Sequence, residues 1–349
     1  MKNSLVLIIL LLSTGAAWRA ENAAAQAPPG QPRIRFIDFY GYGGLDVDKV
    51  RAAMPAHEGE TLPSYDALEE LRGRIKDAVR RVTGRPATEV SFVSPGRDDF
   101  FIYVGLSGDS SKSFPYNPAP KGSARLSAGA LEVFRQVDEA FDRAMQRGAS
   151  GEDDSKGYML SSNDPELRAK QLAMHEHAAR HEGEIRRVLR ESADASQRRV
   201  AAHMLGYVNQ SSRQIADLVR ASHDPDEDVR NNATRALGAL ARSDPKVAAR
   251  IPAEGFVEML SSGIWSDRNK AGGLLLALSQ WRAPKLLAEL RAHALDSLVE
   301  MARWRDSGHA NPARMMLGRM AGMEEERLQK LAFDNDQVDV IIEAARRGR

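Results

Sequence analysis

Three kinds of side chain in this 349-residue sequence stand at spacings that invite chemistry. His175, His177 and His181 lie in the run MHEHAARH. The last two are four residues apart, share one face of a helix, and so have the spacing that can grip a metal ion. The intervening residues of HAARH include no Glu, so the general base of the zinc-protease motif is missing, and the histidines read as a polar helix face. Gly41-Tyr42-Gly43-Gly44 follows an alternating stretch and resembles the start of a phosphate loop. It has neither the third spaced glycine of a dinucleotide loop nor a Lys-Ser/Thr pair, so it reads as a turn. Carboxylates are abundant, but no pair stands out, and there is no Gly-x-Ser-x-Gly. Cys is absent, which removes thiol catalysis, disulfides and Cys-ligated metal. No catalytic, cofactor-binding or metal-ligating residue is therefore assigned.

Charge excludes little else. The formal net charge is +1, and residues 166–349 hold 29 Lys+Arg against 26 Asp+Glu. A nucleic-acid-binding domain shows a strongly basic field, so nucleic acid is not the expected partner. The N-terminus has the pattern of a secretory signal: Lys2, the apolar run Leu5–Leu12, then small residues with Ala23 and Ala25 at a cleavage spacing. Residues 1–25 are read as a signal peptide, with the mature chain starting near Gln26. The run is short for a membrane span. An exported, periplasmic protein with no transmembrane segment in its mature form is the expectation, and a Cys-free chain fits that compartment.

The elements that must position any site follow in order. Residues 26–32 are a Pro/Gly linker. Arg33–Phe39 alternates as a strand, with Ile34, Phe36 and Asp38 on one face and Arg35, Ile37 and Phe39 on the other. Asp46 caps a short helix carrying Val47, Val50 and Met54 inward. A second helix, Tyr65 to Val82, carries Leu68, Leu71, Ile75, Ala78, Val79 and Val82 on one stripe and stops at Gly84. Two strands, Glu89–Val93 and Phe100–Leu106, flank a Pro95-Gly96 turn. The order over 33–107 is β-α-α-β-β. Residues 108–124 are rich in Pro, Ser and Gly and form a linker or wrapping arm. Residues 125–183 make a helical hairpin, Ser127–Arg147 and Asp164 to about His181.

From Glu184 the sequence repeats itself. First helices read Ile185/Val188/Leu189, Ile215/Leu218/Val219, Phe256/Met259/Leu260 and Leu295/Leu298/Val299. Second helices read Ala201/Leu205/Val208, Ala233/Leu237/Leu240, Ala271/Leu275/Leu278 and Ala313/Leu317/Met320, with the Ala positions 32, 38 and 42 apart. Four helical hairpins at these periods make an α-solenoid over 184–323, in which Leu237 and its equivalents are buried between layers. Within 224–241, Asp224-Pro225 is read as the opening of a helix. Residues 324–349 supply a charged helical cap for the last open core face. The fold class is multidomain α and α+β: a small β-α-α-β-β domain followed by an α-α superhelix.

Two resemblances follow from these residues. The strand Ile34–Phe39, Gly41, the segment Leu45–Val50, Gly59-Glu60, Gly84 and the final hairpin together resemble a POTRA domain, the module that precedes outer-membrane barrels of assembly and secretion proteins. Here there is one copy and no barrel follows. Asp228-Val229-Arg230, then Asn232-Ala233 and Ala236-Leu237-Gly238, resemble a HEAT repeat of the armadillo type, and Asp267-Arg268 with Ala271 echoes it. The resemblance implies a ladder between repeats built from Asp228, Arg230, Asp267 and Arg268. The layout is similar to secreted bacterial HEAT-repeat proteins of unassigned activity. It implies a non-enzymatic scaffold or adaptor for a protein or peptide, possessing no cofactor, in envelope assembly or secretion. The alternatives are a HEAT-like nucleic-acid binder or an enzyme with an unrecognised site.

Trp265 and Trp304 lie nine residues after Phe256 and Leu295, at one place in successive repeats. Trp is enriched at binding hot spots. Trp265 and Trp304, with Arg268 and Arg305, are therefore expected on a partly exposed partner-binding edge. The competing account is that longer loops in these repeats need large side chains to cover them.

Overall fold

The computed structural model describes residues 33–62, 67–96 and 99–348. The signal segment 1–25, the linker 26–32 and the expected helix start at Tyr65 lie outside the described residues. The first unit runs β1 (Arg33–Tyr40), α1 (Val47–Ala52), α2 (Ala67–Thr83), β2 (Glu89–Gly96) and β3 (Asp99–Gly105), the order read from the sequence. Asp46 caps α1 by accepting from the Lys49 N–H at 3.1 Å. In the sheet β3 is central, parallel to β1 and antiparallel to β2.

Both faces of this sheet are covered, which explains why β3 reads as an unbroken apolar run rather than an alternation. Phe100, Ile102 and Val104 pack with Leu68, Leu71, Ile75 and Val79 of α2, whereas Phe101 and Tyr103 join the core of the helical part. The expected faces of β1 are corrected by a register shift between Ile34 and Phe36. It puts Ile34 on the α2 side with Ile37 and Phe39 and leaves Phe36 against the helical core. Val82, expected on the buried stripe, is 38% exposed. Pro95 and Gly96, read from the sequence as a turn, belong to β2, and residues 97–98 lie outside the described residues.

The helical part opens with α3 (Ala128–Gln146) and α4 (Pro165–Arg180), joined through a small hairpin of β4 (Glu152–Asp153) and β5 (Leu160–Ser161). Four further pairs follow: α5 (Glu182–Glu191) with α6 (Ala195–Leu205), and α7 (Ser212–Ala221) with α8 (Glu227–Ser243). After a single turn, α9 (Pro245–Ala248), come α10 (Glu254–Met259) with α11 (Trp265–Ser279), and α12 (Pro284–Ala302) with α13 (Ser307–Met320). The end is capped by α14 (Glu325–Ala332) and α15 (Val338–Arg347). Successive second helices α6, α8, α11 and α13 pack on one another. The repeat positions Ala201, Ala233, Ala271 and Ala313, and Leu205, Leu237, Leu275 and Leu317, are all fully buried. Small residues let the helices approach, and the leucines fill the space between layers. The cap of α8 is Asp226, accepting from Val229 N–H at 3.1 Å, and not Asp224 as the Asp-Pro pair implied.

Residues 108–124 form an arm laid along the solenoid. Its backbone meets the loop of one repeat after another, in reverse order. Lys112 N–H donates to Ser261 O at 2.7 Å, Asn117 N–H to His223 O at 2.6 Å, and Gly122 N–H to Glu191 O at 2.8 Å. Phe114 is buried and stacks obliquely on His223, its centroid 4.9 Å away.

Candidate binding cavity beneath α3

In the first three repeats the arginine three residues before the repeat Ala is buried and forms the ladder; the fourth has Ala310 there. Arg198 holds Asp224 through two hydrogen bonds of 2.8 Å. Arg230 holds Asp267 at 2.8 and 3.2 Å. Arg268 reaches Glu300 at 3.4 Å. Each arginine also turns back to a carbonyl six residues earlier, at Ser192, Asp224 and Ser262. The fork thus closes its own interhelix turn and clamps an acid of the next repeat. Arg230, Asp267 and Arg268 take the ladder role expected of them. Asp228 does not: Asp226 caps α8, which turns Asp228 away from the loop row, and it lines a cavity instead. The ladder acid of that repeat is Asp224, released by the same capping choice.

The expected tryptophan edge is also corrected. Trp265 and Trp304 are 0% and 1% exposed. Trp265 is the first residue of α11, and Trp304 follows the end of α12. They do meet on one edge, but beneath the sheet: Tyr103 stacks on Trp265 at 4.9 Å and meets Trp304 edge-on at 5.1 Å. Trp304 Nε1 donates to Phe39 O at 3.2 Å. Arg305 binds the buried Asp38 through Nε at 2.9 Å and the backbone N–H at 2.8 Å. Arg268 is fully buried. All four residues therefore serve the chain's own N-terminal unit. The Gly41–Gly44 turn does cradle an anion, the Glu300 carboxylate, through the N–H groups of Gly41 at 2.7 Å and Tyr42 at 3.0 Å. Gly41 has φ +69°, and a Cβ there would sit 2.6 Å from Leu106 O.

Next to Trp265 lie two half-buried acids. Glu89 accepts from Tyr40 Oη at 2.9 Å and Trp265 N–H at 2.6 Å, and Glu227 accepts from Ser266 Oγ at 2.6 Å. Burial, then the charge of Glu89, pushes the Glu227 carboxyl up to about 7.

The histidines are likewise placed structurally. His175 Nδ1 lies 2.7 Å from Tyr207 O, with its ring stacked on Tyr158, while His177 and His181 stack on each other at 4.3 Å. Among the described residues no group of three His, Cys, Asp or Glu is arranged to hold a metal ion.

The site that the sequence did not announce is a cavity of about 180 Å³ between α3, the β4–β5 hairpin and the second helices. Its apolar wall comes from α3: Phe134, Val137, Phe141 and Met145. Its polar wall comes from α6, α8 and α11, including His203, Asn231, Arg235 and Lys270. Arg235 reaches across to Glu152 of the hairpin in a tight ion pair. Burial opposes the Arg235 charge and Glu152 more than restores it. Burial pushes the Lys270 amine down to about 7, helped by Arg235, with Glu152 opposing. Burial and the neighbouring arginines push His203 down to about 3, so its ring is neutral. His203 Nε2 and Asn231 Oδ1 are buried without a hydrogen-bond partner among the described residues. At the other side burial raises the carboxyls of Asp138 and Asp228, with Arg199 opposing both. One signal was available in the sequence: the position two before the repeat Ala is polar throughout, as Arg199, Asn231, Asn269 and Asn311. A polar column opposite an apolar stripe reads as solvent-facing until something is found to cover it.

Stacked helical pairs clamped by an arginine ladder define an α-solenoid of the HEAT/armadillo class. Residues 184–251 match the model of HEAT repeats. Solved structures of similar shape include a designed armadillo-repeat protein in complex with the peptide (KR)4, 13% identical over 62% of this chain and 98% of that one, TM-score 0.37. Another is an engineered protein, 18% identical over 54% of this chain and 93% of that one, TM-score 0.36. No functionally curated protein matches.

Proposed function

We propose that this protein is a non-enzymatic binding module that seats a peptide or protein segment in the cavity beneath α3. The observation that carries the reading is the pairing of an apolar wall with a polar wall whose buried Asn231 Oδ1 and His203 Nε2 atoms have no partner among the described residues. Buried polar groups are normally satisfied, so unpaired ones at a cavity mark a place where a ligand completes them. A carboxamide offers both a donor and an acceptor, as a peptide main chain does. The Arg235–Glu152 pair is already satisfied and holds the hairpin in place rather than poising a reacting group. The POTRA-like reading of 33–107 is supported by its β-α-α-β-β order, and a role in envelope assembly would follow from it.

Selection from a display library of peptides tests the module. Enriched peptides are expected to bind the wild type and to lose binding to Met145→Trp, which fills the cavity from its half-exposed rim. Enrichment of peptides that bind Met145→Trp equally well, or turnover of a substrate in the same cavity, overturns the reading. Export is proposed separately, on Lys2, Leu5–Leu12 and Ala23/Ala25. N-terminal sequencing of envelope-fraction protein is expected to start near Gln26; Met1 on soluble cytoplasmic protein overturns it.

A further inference from the structure

We propose that the Lys270 end of this cavity is a seat for the free C-terminal carboxylate of a peptide whose last residue is apolar. The inference rests on the peptide-binding reading above and narrows it to one end of one class of ligand.

Volume decides first. At about 180 Å³ the cavity is smaller than the ~300–1,000 Å³ typical of small-molecule sites, so it takes one residue rather than a drug-sized ligand. Chain polarity decides next. The α3 wall of Phe134, Val137, Phe141 and Met145 suits an apolar side chain, and the opposite wall suits a charged end group.

Charge then fixes the sign of that end group. Lys270 is 9% exposed and makes no hydrogen bond or ion pair among the described residues. The one carboxylate beside it, Glu152, is taken by Arg235, with Arg242 behind it at 3.9 Å. An ammonium group there is short of an anion, and a buried cation without one is costly. Asn231 Oδ1, an acceptor without a donor among the described residues, lines the same cavity and offers an acceptor for the N–H of the terminal residue. Capture of a C-terminal carboxylate is an established mode of peptide recognition.

The groups facing Lys270 are Arg235 and Arg242 of α8 and Glu152 of the hairpin, with His203 and Arg199 of α6, Asp228 of α8 and Asp138 of α3 farther round the wall. His203 titrates near 3 and stays neutral, so it contributes no change near neutrality. Lys270 becomes charged as pH falls through about 7. A peptide carboxylate is ionised above about 3.5. Affinity therefore rises as pH is lowered from 8 to 6.

The test uses seven-residue peptides ending in Leu, Met, Phe or Val, each as free acid and as C-terminal amide. At pH 6 amidation is expected to weaken binding by about 10- to 100-fold, the range for one hydrogen bond to a charged group. Lys270→Met should bind acid and amide alike, and Lys270→Arg should keep the preference. Lys270→Met replaces a buried amine with an apolar chain of similar length, and a melting curve checks that it folds. Equal binding of acid and amide by the wild type, or an unchanged preference in Lys270→Met, overturns the proposal. So does displacement by inorganic phosphate with no effect of amidation, which would mark a generic anion seat. If peptides bind, and Met145→Trp blocks them, but amidation has no effect, the binding module stands and the C-terminal seat falls. If no peptide binds, both fall.

Discussion

The solenoid is roofed at two places, and the two roofs leave the helices beneath in different states. Over α11 and α13 the roof is the three-stranded sheet, and most large polar groups there are matched: Trp304 with Phe39 O, Arg305 with Asp38, Glu300 with the glycine turn, Arg268 with Ser110 O at 2.8 Å, while Trp265 Nε1 is buried without a partner among the described residues. Over α6 and α8 the roof is α3 and its hairpin, and the match is incomplete, leaving Asn231 Oδ1 and His203 Nε2 without partners among the described residues beside a cavity that Lys270 also lines. Both regions combine aromatic side chains, arginines and acids. Residue type therefore does not separate the two regions, and unpaired atoms alone do not either, since Trp265 Nε1 lacks a partner among the described residues under the sheet; the cavity beside the unpaired atoms does.

The largest expected effect breaks the completed roof. Trp304→Ala should cost about 3–5 kcal/mol, the range for emptying a buried Trp site, and should open the arm and sheet to limited proteolysis. Denaturant melts measure it, and a loss below about 1 kcal/mol would mean that the sheet does not rest on this residue. Asp267→Asn tests the ladder between the two roofs. It leaves the buried Arg230 guanidinium without a carboxylate, an expected loss of about 3–5 kcal/mol. Asp267 also accepts from Ser262 Oγ at 2.9 Å and Tyr116 Oη at 3.4 Å, and wild-type stability in this variant would show that these contacts alone hold the repeat junction.

The next comparison is one of pH. Glu227, under the sheet, has its carboxyl raised to about 7, so the folded state keeps a proton that the unfolded chain releases near 4.3. Its contribution is fully present below about 4 and is lost as pH rises through 7. Lys270, in the cavity, is lowered to about 7 from an unfolded value near 10.4, so its burial is fully penalised below 7 and relieved as pH rises toward 10. Melting temperatures from pH 4 to 10 should therefore lose a falling component between 4 and 7 in Glu227→Gln and a rising component between 7 and 10 in Lys270→Met. The same window for both variants would break the comparison. The smallest effect is expected at Asp228, which is outside the ladder: Asp228→Asn should change stability by no more than about 0.5 kcal/mol at pH 7. Because burial and Asp226 raise its carboxyl, any change should favour the variant above the carboxylate range. A loss as large as that of Asp267→Asn would return Asp228 to the ladder.

Much of the architecture was legible because it is periodic. Ala233 and Leu237 recur at the same place in each hairpin, and burial of every equivalent follows from spacing alone. The element order of the first unit was legible because its turns and caps are local, as Asp46 shows. What failed was pairwise and long-range. The face of Ile34 depended on a bulge set by β3, more than sixty residues away. Trp265 and Trp304 were placed together by the repeat, but their exposure depended on Tyr103. The Gly41 turn revealed a capacity for anions and not that its anion would be Glu300, 259 residues on. The cavity depends on Glu152 meeting Arg235 across 83 residues, and no local pattern encodes that.

The arm of residues 108–124 has a kinetic consequence. A plain solenoid is coupled only between neighbours, and any repeat can open without the rest noticing. Here one strand of chain is laced to the loops at Glu191, His223 and Ser261, and its Ser110 carbonyl is held by Arg268. The lacing converts a linear array into a closed circuit: the arm has nowhere to dock until three repeats are stacked, and none of them can leave without unthreading it. Such contacts are far apart in sequence, and folding slows as contact order rises. Relative to an array of bare repeats, this chain should therefore assemble late, release slowly and unfold in one step.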